Sequence, residues 1–293
     1  AGIAVAKFVG FLITSSSSML AESVHSLADS GNQVLLLLGR KQAARDADRG
    51  HPFGYGRDRY FYAFVVALVI FSLGSLFAIY EGVHKLQHPG ELESPVVAIV
   101  ILVVAMLLEG FSLRTAIREA RPARGTLSWP TFIRRSKGPE LPVVLLEDTG
   151  ALLGLVFALF GVVMADVSGN SRWDAVGSLA IGALLGVIAI ILIVETKSLL
   201  IGEAATAGAV ERIRRALVGP GVERVIHLRT MHLGPEELLV AAKVAMPAAE
   251  RLDDVARAID AAEARVRDAV PIARIIYLEP DLDRGTHGQE EHR

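Results

Sequence analysis

In a chain of 293 residues without a single cysteine, the side chains able to hold a cation are imidazoles and carboxylates. Two of them stand four apart, His25 and Asp29, in SSSMLAESVHSLADSGNQ. At 100° per residue they lie about 40° apart on a helix, one turn from each other, with Glu22 about 60° from His25 on the same side. Asn32 lies beyond them. One rigid face thus offers a ring nitrogen and a carboxylate, a pair that can grip a divalent cation. A second acidic pair, Glu147 and Asp148, interrupts the apolar run VVLLEDTGALLG. Being adjacent, these two point about 100° apart, so only one can squarely face the first helix. An ionisable group at the bilayer centre costs at least about 2.5–3.5 kcal/mol, so each calls for a reason.

His25, Asp29 and Asp148 read as a tetrahedral site for a borderline cation such as Zn²⁺, with one imidazole and two carboxylates. The competing reading is a buried His–Asp hydrogen bond that locks helices together. A clamp does not need two negative charges against one imidazole, whereas a cation site does. Glu22 reads equally as a solvated helix end or a ligand, and Glu109 as a snorkelling carboxylate or part of an ion path.

The elements that must carry these groups are apolar. Hydrophobic residues make up 52% of the chain and charged residues 21%, and mean hydropathy is +0.44. That excludes a disordered chain. The net charge of −2 provides no basic field for nucleic acid. Disulfides, thiolate metal sites and cysteine nucleophiles are excluded outright.

Apolar runs near residues 60–80, 95–113, 143–165 and 176–194 approach the roughly 20 residues needed to cross a bilayer. Two more lie near 1–14 and 18–39. The first is short and starts at Ala1, so the expectation is a six-helix membrane bundle over 1–203 whose first helix is truncated. It lacks the basic start and small-residue cleavage pattern of a signal peptide.

Arg40, Lys41, Arg45, Arg49, Arg57 and Arg59 follow the second segment. Arg114, Arg118, Arg121, Arg124, Arg134, Arg135 and Lys137 follow the fourth. The intervening loops hold only Lys85 and Arg172 among Lys and Arg. The asymmetry places both termini and the basic loops in the cytoplasm, and the expected setting is a bacterial inner membrane. The stretch 119–141, with Pro122, Pro130 and Pro139, reads as a long loop, with the fifth helix starting near Pro142.

From 204 the charges are interspersed, as in a water-soluble domain. Residues 208–218 and 250–269 have helical spacing. VERVIHLRTM and LLVAAKVAM read as strands joined at Gly234-Pro235, and ARIIYLEP as a last strand. The order suggests an α+β ferredoxin-like domain over 204–283, then a polar tail over 284–293.

SSSMLAESVHSLADSGNQ and ADRGHPFGYGRDR together resemble the second-helix and loop signature of the cation diffusion facilitator family, transporters of divalent metals that often exchange them for protons. Lys7, DAVGSLAIGALLGV, ETKSLLIGEAA and HLRTMHLGPEELLV extend the resemblance over nearly the whole chain. It implies a central site of two residues four apart on the second helix and two four apart on the fifth. His25, Asp29 and Asp148 match, but the remaining position is Val144. The fourth ligand is then water, Glu147 after a local distortion, or Asn32. This departure resembles the branch that includes zinc transporter 9.

Asp48 and His51 match a secondary loop site whose further histidine position is Tyr55; a solvated loop at the cytoplasmic mouth is the stronger reading there. In the tail, His227 matches one zinc position, while Lys243, Ala256 and Tyr277 occupy others, with Glu279 near. A binuclear zinc site is therefore not expected, His232 reads as a surface residue, and His287 and His292 as weak ligands at most. The resemblance also implies a homodimer through the tail, with little dependence on metal there.

The resulting expectation is a non-enzymatic, proton-coupled efflux transporter working by alternating access in a lipid bilayer. It needs no permanent cofactor; zinc is the first-choice cargo, and Mn²⁺, Fe²⁺ and Co²⁺ are alternatives. An uncoupled channel and a non-transporting scaffold are the competing classes. An intramembrane metalloprotease lacks its HExxH motif.

Overall fold

The computed structural model describes residues 2–89, 94–248 and 251–282. His287 and His292 lie outside the described residues. The chain divides into two compact units, Ala1–Gln42 with Asp58–Lys197, and Ala43–Arg57 with Ser198–Arg293. The basic segment after the second helix therefore groups with the tail.

The first unit is a helical bundle. α1 spans Gly2–Thr14 and α2 Ser17–Ala43. α3 runs Asp58–Gln87, α4 Pro95–Arg124, α6 Glu140–Ser168 and α7 Arg172–Ile201. A short α5, Trp129–Arg135, precedes α6. Among the described residues α3, α4, α6 and α7 are long and apolar enough to cross a membrane, and the chain is an integral multi-pass membrane protein. A 30-residue helix measures about 45 Å, enough for a bilayer with its headgroups. α2 is long enough as well, but buried Glu22, Ser23, His25, Ser26 and Asn32 dilute its hydropathy.

Small residues let these helices approach closely. Ser75 on α3 donates to the Gly182 carbonyl (2.7 Å) and Ser178 on α7 donates to the Ala78 carbonyl (2.9 Å). α4 packs along α6. The core between helices is built from Met19, Phe71, Leu102, Leu155, Ile181, Leu185 and Leu192. Within α3, Val66–Phe71 form a π-helical segment, a distortion that often marks functional positions.

The expected loop 119–141 is largely helical. α4 continues to Arg124 because Ala116 and Ala120 keep one apolar face, which packs with Phe132 and Leu145. Pro122 sits inside its last turns. Ser128 caps α5 by accepting from the Thr131 N–H (3.4 Å). α6 starts at Glu140, two residues before Pro142.

In the second unit α8 is Ala207–Leu217, β1 Arg224–Gly234, β2 Glu237–Ala245, α9 Leu252–Ala269 and β3 Ile275–Asp281. The sheet order is β1-β2-β3, the first pair antiparallel and the second parallel. Ile213, Leu217, Leu238, Val240, Val266 and Ile276 fill the core beneath it. Leu252, an apolar position of the α9 pattern, is exposed because it opens the helix before its buried face begins.

Candidate metal centre

α2 carries the expected pair in the expected geometry. His25 Nδ1 stands 3.4 Å from Asp29 Oδ1. His25 is 2% exposed, and its Nε2 is buried without a hydrogen-bond partner. Phe71, at the end of the π-helical segment, packs beside the imidazole with ring centroids 6.5 Å apart. The ring is thus fixed by one nitrogen and walled by an aromatic, while the other nitrogen faces the interior without a partner. A ring nitrogen with no acceptor or donor is what a ligand to an incoming cation must offer.

The two α6 carboxylates divide their attention. Glu147 is buried and its Oε2 accepts from Asn32 Nδ2 on α2 at 3.1 Å. Asp148 accepts from Ser112 on α4 at 3.1 Å. So Glu147 is hydrogen-bonded to α2 and Asp148 to α4 in this arrangement. Asp29 is within electrostatic reach of Lys7, Glu109, Glu22 and Asp148, and Glu147 within reach of Asp29, Asp148 and Glu109. Among the described residues, no three His, Asp or Glu side chains stand close enough together to enclose an ion. The structure brings His25 and Asp29 together and leaves the α6 carboxylates nearby, held by other partners.

Glu22 is not a solvated helix end. It is fully buried and takes Lys7 Nζ of α1 at 3.0 Å. Lys7 also donates to Ser26 Oγ at 2.7 Å. One ammonium therefore clamps α2 on both sides of His25. Glu22 Oε1 has no partner and lies against Gly154, where any Cβ would collide with it. Glu109 is half-buried.

Sequence reasoning passed over Asp174, the first residue of DAVGSLAIGALLGV. It is fully buried and binds the turn between α1 and α2. It accepts from Ser16 Oγ (2.7 Å), Ser17 N (2.7 Å), Ser17 Oγ (3.0 Å) and Ser18 N (3.4 Å), and from Ser18 Oγ. Lys85 Nζ lies 3.8 Å from the same carboxylate and donates to the Ser15 carbonyl. A carboxylate supplied by α7 thus caps the N-terminus of α2. The serine run 15–18 was the visible signal, since such residues astride the start of a helix call for a capping arrangement.

In the loop, Asp48 Oδ1 accepts from Gly50 N and His51 N, both at 2.8 Å, and Oδ2 accepts from Tyr55 Oη at 2.6 Å. The Tyr55 hydroxyl and the loop amides hold its carboxyl down at about 2. His51 Nδ1 is 3.5 Å from Asp48.

In the tail, His227 pairs with Lys243 across the strands. The Lys243 ammonium binds Glu279 (3.0 Å) and Asp281 (3.3 Å), which raise it above its usual range. Tyr277 and Ala256 are exposed. His232 is buried rather than on the surface, with Nδ1 3.3 Å from the Gly234 carbonyl, because the end of β1 turns into the packed side of the unit.

The chain is similar to known proteins over much of its length. Residues 1–201 match the model of the cation efflux transmembrane domain. The chain is 36% identical over 242 residues to the proton-coupled zinc antiporter SLC30A9, mitochondrial, of Xenopus laevis, covering 81% of this chain and 43% of that protein. It is 35% identical over 224 residues to the human protein of the same name, covering 75% and 39%. Metal tolerance protein C4 of Arabidopsis thaliana is 36% identical over 200 residues, covering 68% and 44%. The chain thus spans less than half the length of these curated relatives. The word mitochondrial in the animal names lends no support to a bacterial inner membrane for this chain. With the family model covering more than half of its length, the chain belongs to the cation efflux family.

Proposed function

We propose that this protein moves a divalent cation, zinc before Mn²⁺, Fe²⁺ or Co²⁺, out of the compartment that holds its basic loops, in exchange for protons. The observation that carries this is the His25–Asp29 pair at 3.4 Å, with Nε2 of the imidazole buried and unpartnered. The zinc and the protons are named in the relatives similar to this chain, and the imidazole suits a borderline cation better than a hard one such as Mg²⁺.

Coupling follows from the ligand chemistry. A cation needs neutral His25 and ionised carboxylates, so its binding releases protons, and protons compete for the same atoms. Expelling a doubly charged ion from an inside-negative compartment costs roughly 4.6 kcal/mol per 100 mV, so a passive pore would run inward and export requires a second ion.

α6 supplies the movable part. Asn32 holds one oxygen of Glu147 and Ser112 one oxygen of Asp148, so a shift of α6 would bring a carboxylate oxygen to the His25–Asp29 pair. Asp148 is the resemblance-based ligand and Glu147 the fourth. A small movement of α6 against α2 would make or break the site, which is what alternating access requires. In this reading α1 and α2 join the four apolar helices as a six-helix domain. The tail is a ferredoxin-like module that pairs two copies, with Lys243 standing as a fixed cation where the family has a zinc ligand. Both oxygens of Asp48 are occupied within its own loop, which favours a structural loop over a metal site at Asp48 and His51.

The test is zinc binding to the purified protein by calorimetry in two buffers of different ionisation enthalpy. Wild type should release protons as it binds, and Asp29→Asn should lose both binding and release. Equal binding by the two proteins would remove the site from α2.

A further inference from the structure

Arg57 closes the segment that groups with the tail, and the next residue, Asp58, begins α3. Gly202 directly follows Ile201, the last residue of α7. Met231 of β1 meets both. Its Sδ lies 3.2 Å from Arg57 Nη2, and a Cβ on Gly202 would stand 2.8 Å from it. Both positions are thus one peptide bond from a helix long and apolar enough to cross a membrane.

A cavity of about 370 Å³ opens there, lined by Pro52, Phe53, Arg57, Met231, Leu233 and Leu239. The His51 imidazole and the Arg57 guanidinium are the polar groups of an otherwise largely apolar wall. Arg57 Nε is buried without a hydrogen-bond partner, and a buried donor left unpaired calls for an acceptor. The cavity rests on very close backbone packing. A Cβ on Gly56 would lie 2.7 Å from the Leu233 carbonyl oxygen, and one on Gly234 would lie 3.0 Å from Gly56 Cα.

We propose that this cavity holds one anionic phospholipid. The phosphate sits on the Arg57 guanidinium, whose planar fork suits phosphate oxygens. The glyceride and the start of an acyl chain lie against Phe53, Met231, Leu233 and Leu239. Arg40, Lys41, Arg45 and Arg49 precede it in sequence, and such a basic juxtamembrane run draws anionic headgroups. A free phosphate would leave the apolar walls uncovered, and a zwitterionic lipid would bring an ammonium toward the arginine.

The full chain, delipidated in detergent and mixed with phosphatidylglycerol or phosphatidylcholine, is read by native mass spectrometry. Wild type should retain one phosphatidylglycerol in preference to phosphatidylcholine, and inorganic phosphate should not displace it. Arg57→Gln should bind about tenfold more weakly, and Arg57→Lys should recover part of the loss. Leu239→Trp, which fills the cavity and leaves the charge, should also lose the lipid. Wild-type retention by Arg57→Gln, equal retention of phosphatidylcholine, or displacement by inorganic phosphate would each overturn the proposal. Should Arg57→Gln fail to fold, Leu239→Trp decides, and undiminished retention by that variant overturns it.

Discussion

Replacing Lys7 by Met should destabilise the bundle far more than removing both members of its ion pair. Lys7 and Glu22 are fully buried and 3.0 Å apart. Glu22 Oε1 already lacks a partner. In Lys7→Met the carboxylate keeps its burial and loses its one cation, and Ser26 loses a donor. Breaking a buried pair from one side costs about 3–5 kcal/mol. At roughly 2–4 °C per kcal/mol for a unit of this size, the midpoint falls by roughly 6–20 °C. The lower half of that range is expected, because polar groups in a bilayer find other partners when a helix pair loosens. Lys7→Met with Glu22→Gln leaves a neutral amide and should cost only about 1–3 kcal/mol, the penalty of an unsatisfied polar group. Thermal unfolding in detergent, followed by the fluorescence of Trp129 and Trp173, measures all the variants. If Lys7→Met unfolds with wild type, or if the double variant falls by the sum of the singles, the pair is not a closed electrostatic unit and this reasoning fails.

Asp174→Ala removes the acceptor of several donors in the α1–α2 turn and should lower stability by at least about 2 kcal/mol, checked by the same unfolding scan. Tyr55→Phe should move the Asp48 carboxyl up from about 2 toward its ordinary value, read by carbon NMR of the labelled side chain. Because that folded value is depressed, the contribution of Asp48 is full above about 3.9 and fades as pH falls through about 2. Lys243 runs the other way: raised by Glu279 and Asp281, it contributes below about 10.4 and loses that contribution as pH rises through the higher folded value. Treatment with a chelator should leave the oligomeric state unchanged by light scattering, since the Lys243 ammonium already stands between these carboxylates.

Much of this architecture was legible in the sequence because lipid imposes few solutions. A long apolar run must close its backbone hydrogen bonds as a helix, so the four apolar spans declare themselves. The period-2 strands and the amphipathic helices of the tail were equally plain. His25 and Asp29 were legible because a four-residue spacing needs no tertiary information to face one way. What lay between elements was not. Nothing in Glu22 itself reveals that Lys7 of another helix neutralises it. The turn of Glu147 toward Asn32, and of Asp148 toward Ser112, depends on how α6 is rotated against two neighbours. The length of α4 was missed because its polar last turns hide a narrow apolar face at Ala116 and Ala120. The π-helical segment beside His25 has no residue signature at all, and Gly56 gave no hint that Gly234 would press against it.

The most direct measurement is simultaneous zinc and pH recording in proteoliposomes under an imposed pH gradient. Wild type should move zinc and protons in opposite directions, with both fluxes rising with the gradient, and Asp29→Ala and Asp148→Ala should lose both together. Zinc entry that ignores the gradient, or wild-type flux in both variants, would contradict the exchange of protons for a dication at this site.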